Sequence, residues 1–256
     1  MQEFITLANR LADEAGKVVQ QYFRAPYDVA TKEDNSPVTI ADRTIETRLR
    51  EIIMAERPQD GIHGEEFENK PSDNGFTWVI DPIDGTKPFI CGHHGFGTLI
   101  ALCENDLPIL GVIDQAITKD RWIGAKGLPT THNGQPVTTR KCGALKNAIT
   151  TATAPGMFFD VDVGFYRVIR NEVKYTVWGG DCISYGLLAS GHVDMVIEAS
   201  MSPHDYLAHA PIIEGAGGKV CDWDGNPLSL NSGDALVALG NADLWPEVQA
   251  KIISKA

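Results

Sequence analysis

The segment Trp78-Val79-Ile80-Asp81-Pro82-Ile83-Asp84-Gly85-Thr86 gathers groups able to do chemistry. A short apolar run, read as a strand, stops at Asp81, and a second carboxylate follows at Asp84. Pro82 has no backbone N–H and stiffens the turn, so both carboxylates can face one cleft with the Ile83 carbonyl between them. Hard oxygen donors of this kind suit Mg²⁺. Gly85 and Thr86 follow where a short helix can begin, and their N–H groups could cradle a phosphate. One turn then offers places for a cation and an anion. Aspartate and glycine are also ordinary turn residues, which leaves a plain surface turn as the rival reading. Gly64-Glu65-Glu66, just after a short strand predicted at Gly61-Ile62-His63, weighs against it by supplying a third oxygen ligand. Taken alone, Glu65 also reads as part of a solvated acidic loop.

Charge supports the metal. Phosphate sites usually recruit Lys or Arg, yet only Lys87 is basic nearby, and 22 Lys+Arg against 34 Asp+Glu leave a net charge of −12. Carboxylates facing one another raise each other's pKa unless a cation lies between them. Divalent ions neutralise the aspartates and present positive charge to a phosphate. With no Lys/Arg run, the chain is not expected to bind nucleic acid. It has no stretch of about 18 apolar residues to span a membrane. Met-Gln-Glu-Phe at the start lacks the pattern of a signal peptide. Cys91, Cys103, Cys142, Cys182 and Cys221 form no C-x-x-C pair, which fits a reducing, cytoplasmic setting.

The positioning elements can be outlined from periodicity. The chain has 256 residues, 43% of them hydrophobic, enough for a large core in one or two domains. Apolar residues from Phe4 to Phe23 recur at helical spacing and stop before Pro26. A second helix is predicted after Pro37-Val38-Thr39, with Ile45, Leu49, Ile52 and Ile53 on its apolar side, Asp42 in its first turn and Arg57-Pro58 at its end. Residues 97–103 and 109–113 read as a hairpin joined through Glu104-Asn105-Asp106, 121–124 as a strand, and Asn133-Gly134 as a tight turn. Further strands are expected at 148–152, 173–178, 193–198 and 236–239, and helices at 158–170, 181–190, 205–216 and 242–253. This pattern predicts an α/β fold of α+β layered type, in which layers of helices alternate with sheets. The expected division is 1–143, with most candidate ligands and the phosphate turn, and 144–256, with Asp205 and the substrate-choosing residues.

Taken together, Pro37-Val38-Thr39-Ile40-Ala41-Asp42, Gly64-Glu65-Glu66, Asp81 through Thr86, His204-Asp205 and Gly215-Ala216-Gly217-Gly218 resemble the inositol monophosphatase-like, Mg²⁺-dependent, lithium-sensitive phosphatases. The resemblance implies that family's layered sandwich and two or three Mg²⁺ ions. Glu65, Asp81 and the Ile83 carbonyl would hold the first ion, Asp81, Asp84 and Asp205 the second, and Glu65 a weaker third through water. Thr86, hydrogen-bonded to Asp42, would orient the attacking water, and a second water would protonate the leaving alkoxide. Relatives are commonly homodimers acting on small phosphorylated metabolites. Within the family, residues 96–102, 121–124, 179–182 and 185–191 resemble the histidinol-phosphate phosphatases of histidine biosynthesis. Two other readings stay open: an inositol-1-phosphate or broader sugar-phosphate monophosphatase, and a non-catalytic metal- or metabolite-binding protein. A glycosidase with paired carboxylates would leave the Gly-Thr turn without a role.

Histidinol phosphate carries an ammonium group and an imidazole that titrates near neutrality, so its pocket calls for carboxylates away from the metals. Position in the family makes Gly180, Asp181 and Glu198 substrate contacts, with Gly85, Thr86 and Asp205. Asp181 can equally be an N-cap, and Glu198 a solvated strand end. His204 stands where the family commonly has tryptophan, and three readings are open for it: packing, a substrate contact, or an extra metal contact. Pro88 would stiffen the phosphate-binding helix. His93-His94 reads as loop. Cys182 lacks the histidine neighbour a nucleophile needs, and Trp122, Trp178 and Trp223 read as core or pocket wall.

Overall fold

A computed structural model describes residues 1–26, 29–31, 37–158 and 161–253. Helix α1 (Gln2–Tyr22) buries Phe4, Leu7, Leu11, Ala15 and Val19, the predicted stripe. A small antiparallel ribbon of β1 (Val29–Thr31) and β2 (Pro37–Thr39) leads into α2 (Ile40–Glu56). Thr39 and Asp42 close a reciprocal capping box there, which fixes where α2 starts.

Next come β3 (Gly61–Gly64), β4 (Phe76–Asp84), the short helix α3 (Thr86–Ile90), β5 (Gly97–Glu104), β6 (Leu107–Gln115), β7 (Asp120–Ala125), β8 (Thr131–His132) and β9 (Gln135–Pro136). These strands form one seven-stranded sheet in chain order. Two of its turns are those predicted: Asn105 and Asp106 carry φ of 48° and 68°, Asn133 and Gly134 φ of 48° and 78°, the left-handed pair that a two-residue hairpin requires.

The remainder comprises β10 (Ile149–Ala152), α4 (Val161–Glu172), β11 (Tyr175–Trp178), α5 (Ile183–Ala189), β12 (Met195–Glu198), α6 (Pro203–Tyr206), α7 (His209–Gly215), β13 (Lys219–Asp222), β14 (Leu236–Leu239) and α8 (Trp245–Ile253). Its five-stranded sheet runs β11-β10-β12-β14-β13. Residues 159 and 160 of the helix expected at 158–170 lie outside the described residues. The helix expected at 205–216 divides into α6 and α7. Pro211 cannot donate to the carbonyl four residues back, so it is tolerated only in the first turn of a new helix. Strand β13 is an addition to the expected set.

Period-two alternation stacks these elements into layers. Trp78, Ile80, Ile100, Leu102, Leu110 and Val112 face the core under α1 and α2. Val79, Leu99, Ala101 and Ile113 face Tyr185, Leu188, Ile212 and Ile213 of α5 and α7. Val196, Leu236 and Ala238 close that middle core from the second sheet. Met195, Ile197, Val237 and Leu239 point the other way, toward Phe165, Ile169 and Val248 of α4 and α8. Helices therefore alternate with sheets as expected. The sheets change over between Pro136 and Ile149, around the expected division, yet the middle core draws on both sides of it. Among the described residues no helix is long and apolar enough to cross a membrane.

Helix α7 and its approach lie flush on the first sheet. A Cβ at Gly111 would meet the Ala208 carbonyl oxygen at 1.9 Å. Gly111→Ala is therefore expected to destabilise by roughly 1–3 kcal/mol through overpacking. Urea denaturation with an unchanged m-value checks this, and wild-type stability would refute the tight contact.

Candidate metal centre

Strand β4 does not stop at Asp81; it runs on to Asp84. On a regular strand, residues three apart point to opposite faces. Here the pairing with β5 slips: Asp81 faces Leu99 and Asp84 faces Gly97, three residues against two. The extra residue is a bulge, and it returns Asp84 to the side of Asp81. Proline suits this place because Pro82 has no N–H to leave unpaired, while its carbonyl accepts the Thr98 hydroxyl at 2.8 Å.

Asp205, on α6, completes the cluster. One oxygen from each of Asp81, Asp84 and Asp205 lies within 4.8 Å of the others. Backbone donors hold two of the three. The Asp84 Oδ2 accepts the Cys182 N–H at 2.6 Å, and Asp205 Oδ2 accepts the Ser202 N–H at 2.6 Å in a capping box. The Asp81 Oδ1 is buried without a partner. Burial raises the pKa of all three carboxylates, and neighbouring acids raise them further: Glu65, Asp84 and Asp205 act on Asp81, Asp181 and Asp205 on Asp84, and Glu65 on Asp205, where the cationic form of His204 opposes the rise. Hard oxygens converging around an orphaned carboxylate oxygen fit a divalent cation such as Mg²⁺.

Around this cluster the structure both supports and corrects the expectations. Glu65 follows β3 directly and bears on Asp81 and Asp205. The Thr86–Asp42 hydrogen bond implied by the resemblance is not made. Thr86 donates to the Ile83 carbonyl at 3.2 Å. Asp42 Oδ2 accepts from Thr39, three residues away in the cap, at 2.8 Å from its N–H and 2.5 Å from its hydroxyl. The Asp42 Oδ1 is left buried without a partner, and burial, with the Glu65 charge adding to it, raises its pKa. Gly85 takes φ 82° just before α3, as a left-handed turn demands.

Asp181 is not an N-cap. Helix α5 begins beyond Cys182 without a side-chain cap, and Gly179, Gly180 and Asp181 carry φ of 87°, 111° and 41°. That left-handed run turns Asp181 toward Lys87, Glu198 and Asp84. Burial, then the Glu198 charge, push Asp181 up to about 7, with Lys87 opposing. Glu198 is not a solvated strand end either, being 2% exposed. Its Oε1 accepts the Thr153 N–H at 2.8 Å and hydroxyl at 2.6 Å, and its Oε2 the Tyr185 hydroxyl at 2.7 Å. The Tyr185 ring stacks 3.7 Å from His209, which burial holds neutral by lowering its pKa to about 3. Sequence reasoning missed Thr153, Tyr185 and His209; tyrosine and histidine four residues after known site positions were the available signal. Among the readings of His204, the geometry puts it over the cluster: Nε2 stands 3.5 Å from Asp205 Oδ1 and the ring 6.3 Å from that of His63. The Cys182 thiol is buried and pushed far up by burial and by Asp84, so it is no nucleophile.

A cavity of about 720 Å³ between α1 and β6–β8 contains none of these residues. Asp181 opens instead into a cleft of about 440 Å³ walled by Lys87, Pro88, His93, His94 and Trp178.

A bulged strand carrying two aspartates, closed by a third from a helix in a layered sandwich, defines a metal-dependent phosphatase. The chain belongs to the inositol monophosphatase family, which matches residues 1–256. It is 45% identical to the chloroplastic bifunctional phosphatase IMPL2 of Arabidopsis thaliana, over 93% of this chain and 69% of that protein. It is 36% identical to a histidinol-phosphatase of Chlorobaculum parvum, over 93% and 92%. An inositol monophosphatase structure from Zymomonas mobilis superimposes with a TM-score of 0.91 at 44% identity, covering 98% of both chains. Enzymes of this family use Mg²⁺.

Because Asp81, Asp84 and Asp205 are raised in the metal-free fold, the native state holds more protons than the unfolded one above the ordinary carboxylate range. Their contribution to stability is thus lost as pH rises through the raised values. A bound cation removes that penalty. The gap in Tm between Mg²⁺-loaded and EDTA-treated protein should widen from about pH 4 to about pH 8. A gap independent of pH would contradict the repulsive cluster.

Proposed function

We propose that this phosphatase hydrolyses L-histidinol phosphate to L-histidinol and phosphate. The observation that carries the reading is the pair Asp181 and Glu198 beside the metal cluster, with Asp181 facing the cleft that Trp178 walls. A cationic leaving group is the natural complement of such a site. The full-length similarity to a histidinol-phosphatase supports it.

In this reading Glu65, Asp81 and the Ile83 carbonyl hold one Mg²⁺, Asp81, Asp84 and Asp205 a second, and Glu65 a weaker third. Magnesium, when bound, offsets the carboxylate charge, polarises the phosphoryl group and makes water nucleophilic near neutral pH. The residues do the rest. Asp42 Oδ1 is the buried acceptor open to a hydrogen from the attacking water, and the Thr86 hydroxyl stands at the Ile83 carbonyl. The Gly85 and Thr86 N–H groups meet phosphate oxygens. Asp181 and Gly180 orient the amino alcohol, and a bound cation returns Asp181 to its charged form at neutral pH. Glu198, gripped by Thr153 and Tyr185, fixes the far wall.

An inositol-1-phosphate or wider sugar-phosphate activity is the alternative, favoured by the likeness to the Zymomonas mobilis inositol monophosphatase. A homodimer in a reducing compartment such as the cytoplasm completes the proposal; all five cysteines are free.

Phosphate release from histidinol phosphate and from myo-inositol 1-phosphate, with and without Mg²⁺ and Li⁺, separates the readings. Preference for the inositol ester would sink the narrow one and keep the family activity. Asp181→Asn is expected to raise KM for histidinol phosphate about tenfold or more, since a charged hydrogen bond is worth about 1.5–3 kcal/mol. The inositol ester should be nearly indifferent to that change.

A further inference from the structure

Glu46 is fully buried on α2, one turn beyond Asp42. A buried carboxylate is tolerated when its oxygens are paired, and here both are. Oε1 accepts from Arg50 Nε at 2.7 Å, and Oε2 accepts the Glu66 N–H at 2.7 Å. Arg50 in turn donates to the Phe67 carbonyl at 3.1 Å and lies 5.8 Å over the Phe67 ring. The backbone of Gly64 rides directly on the carboxylate: a Cβ there would stand 1.9 Å from Glu46 Oε1 and 2.4 Å from its Cδ. Helix α2 therefore grips the chain at residues 64, 66 and 67, on both sides of Glu65. The stretch from 65 to 75 between β3 and β4 forms no strand or helix of its own; beyond Phe67 it is tied back by an antiparallel bridge from Lys70 to Ile62.

We infer that the Glu46–Arg50 pair is a positioning clamp for Glu65, setting where that carboxylate meets the divalent cation. Neither clamp residue needs to touch metal or substrate. A ligand on a free loop would have to be ordered at each binding event, whereas a gripped one is already in place. The glycine before the two glutamates gains a reason as well, since any side chain at 64 would displace the carboxylate.

The inference rests on Glu65 being a ligand, and the test separates the two. Mn²⁺ is titrated into the metal-stripped full-length protein and the free ion is read by electron paramagnetic resonance. Glu46→Gln, which keeps the shape and removes the charge, should weaken Mn²⁺ binding about 10- to 100-fold. It should raise the half-saturating Mg²⁺ for phosphate release in step, with kcat recovering at high Mg²⁺. Arg50→Lys should shift both in the same direction by less. Asp60→Asn is the control. Asp60 is another buried carboxylate, serving Arg57, Asn74 and Trp78, and its loss should lower Tm while leaving Mn²⁺ affinity alone. If Glu46→Gln and Arg50→Lys behave like that control, the clamp is overturned. Unchanged Mn²⁺ binding in Glu65→Gln would sink the ligand assignment itself; weakened binding there with wild-type affinity in Glu46→Gln would sink only the clamp.

Discussion

Like charges held close in a poorly solvating place are the constraint to which the rest of this structure answers. Three aspartate oxygens sit within 4.8 Å of one another, and left to themselves they would separate or take up protons. The fold denies them the first option. A bulge brings Asp84 round to Asp81, and backbone N–H groups of Cys182 and Ser202 each pin one oxygen of Asp84 and Asp205. Each pin is a peptide group already fixed by a turn or a cap, so it orients a carboxylate without adding a positive side chain. The charge deficit is thereby kept for a small, hard cation.

The layered architecture makes this convergence possible. Asp81 and Asp84 come from the end of a strand in the first sheet, Asp205 from the short helix α6 between the sheets, and Glu198 from a strand end in the second. The middle core, filled by Trp122, Tyr185, Leu188, Ile212 and Ile213, locks the sheets to the intervening helices. Small errors in helix placement would move Asp205 against Asp81. The glycine contact at Gly111 shows how little slack exists.

Local chemistry was the legible part of the sequence. The start of α2 after Thr39, the Asn105-Asp106 and Asn133-Gly134 turns and the Asp81–Asp84 pair all follow from residues a few positions apart, whereas Asp205, far along the chain, was reached only through the resemblance. The layers followed from periodicity, with most strand ends moved by one or two residues and β4 running on from Ile80 to Asp84. What failed was competition between partners. Asp42 was assigned to Thr86 by resemblance, but Thr39 is closer along the chain and takes it. Asp181 carries a capping residue's chemistry on a backbone that is left-handed, and φ cannot be read from residue type after two glycines. The break between α6 and α7 was signalled by Pro211 and went unused. Strand β13 has only two buried residues, too few for a pattern.

The turn at Gly179-Gly180-Asp181 sets bounds on how this enzyme can diverge. A φ of 41° at position 181 is accessible to asparagine, aspartate and glycine at small cost, and resisted by β-branched residues. No ligand of the aspartate cluster lies on that turn. In the proposed reading Asp181 meets the incoming ester, so a single-codon exchange there would alter that contact without replacing an aspartate of the cluster, whereas a bulky aliphatic residue at 181 would strain the left-handed backbone.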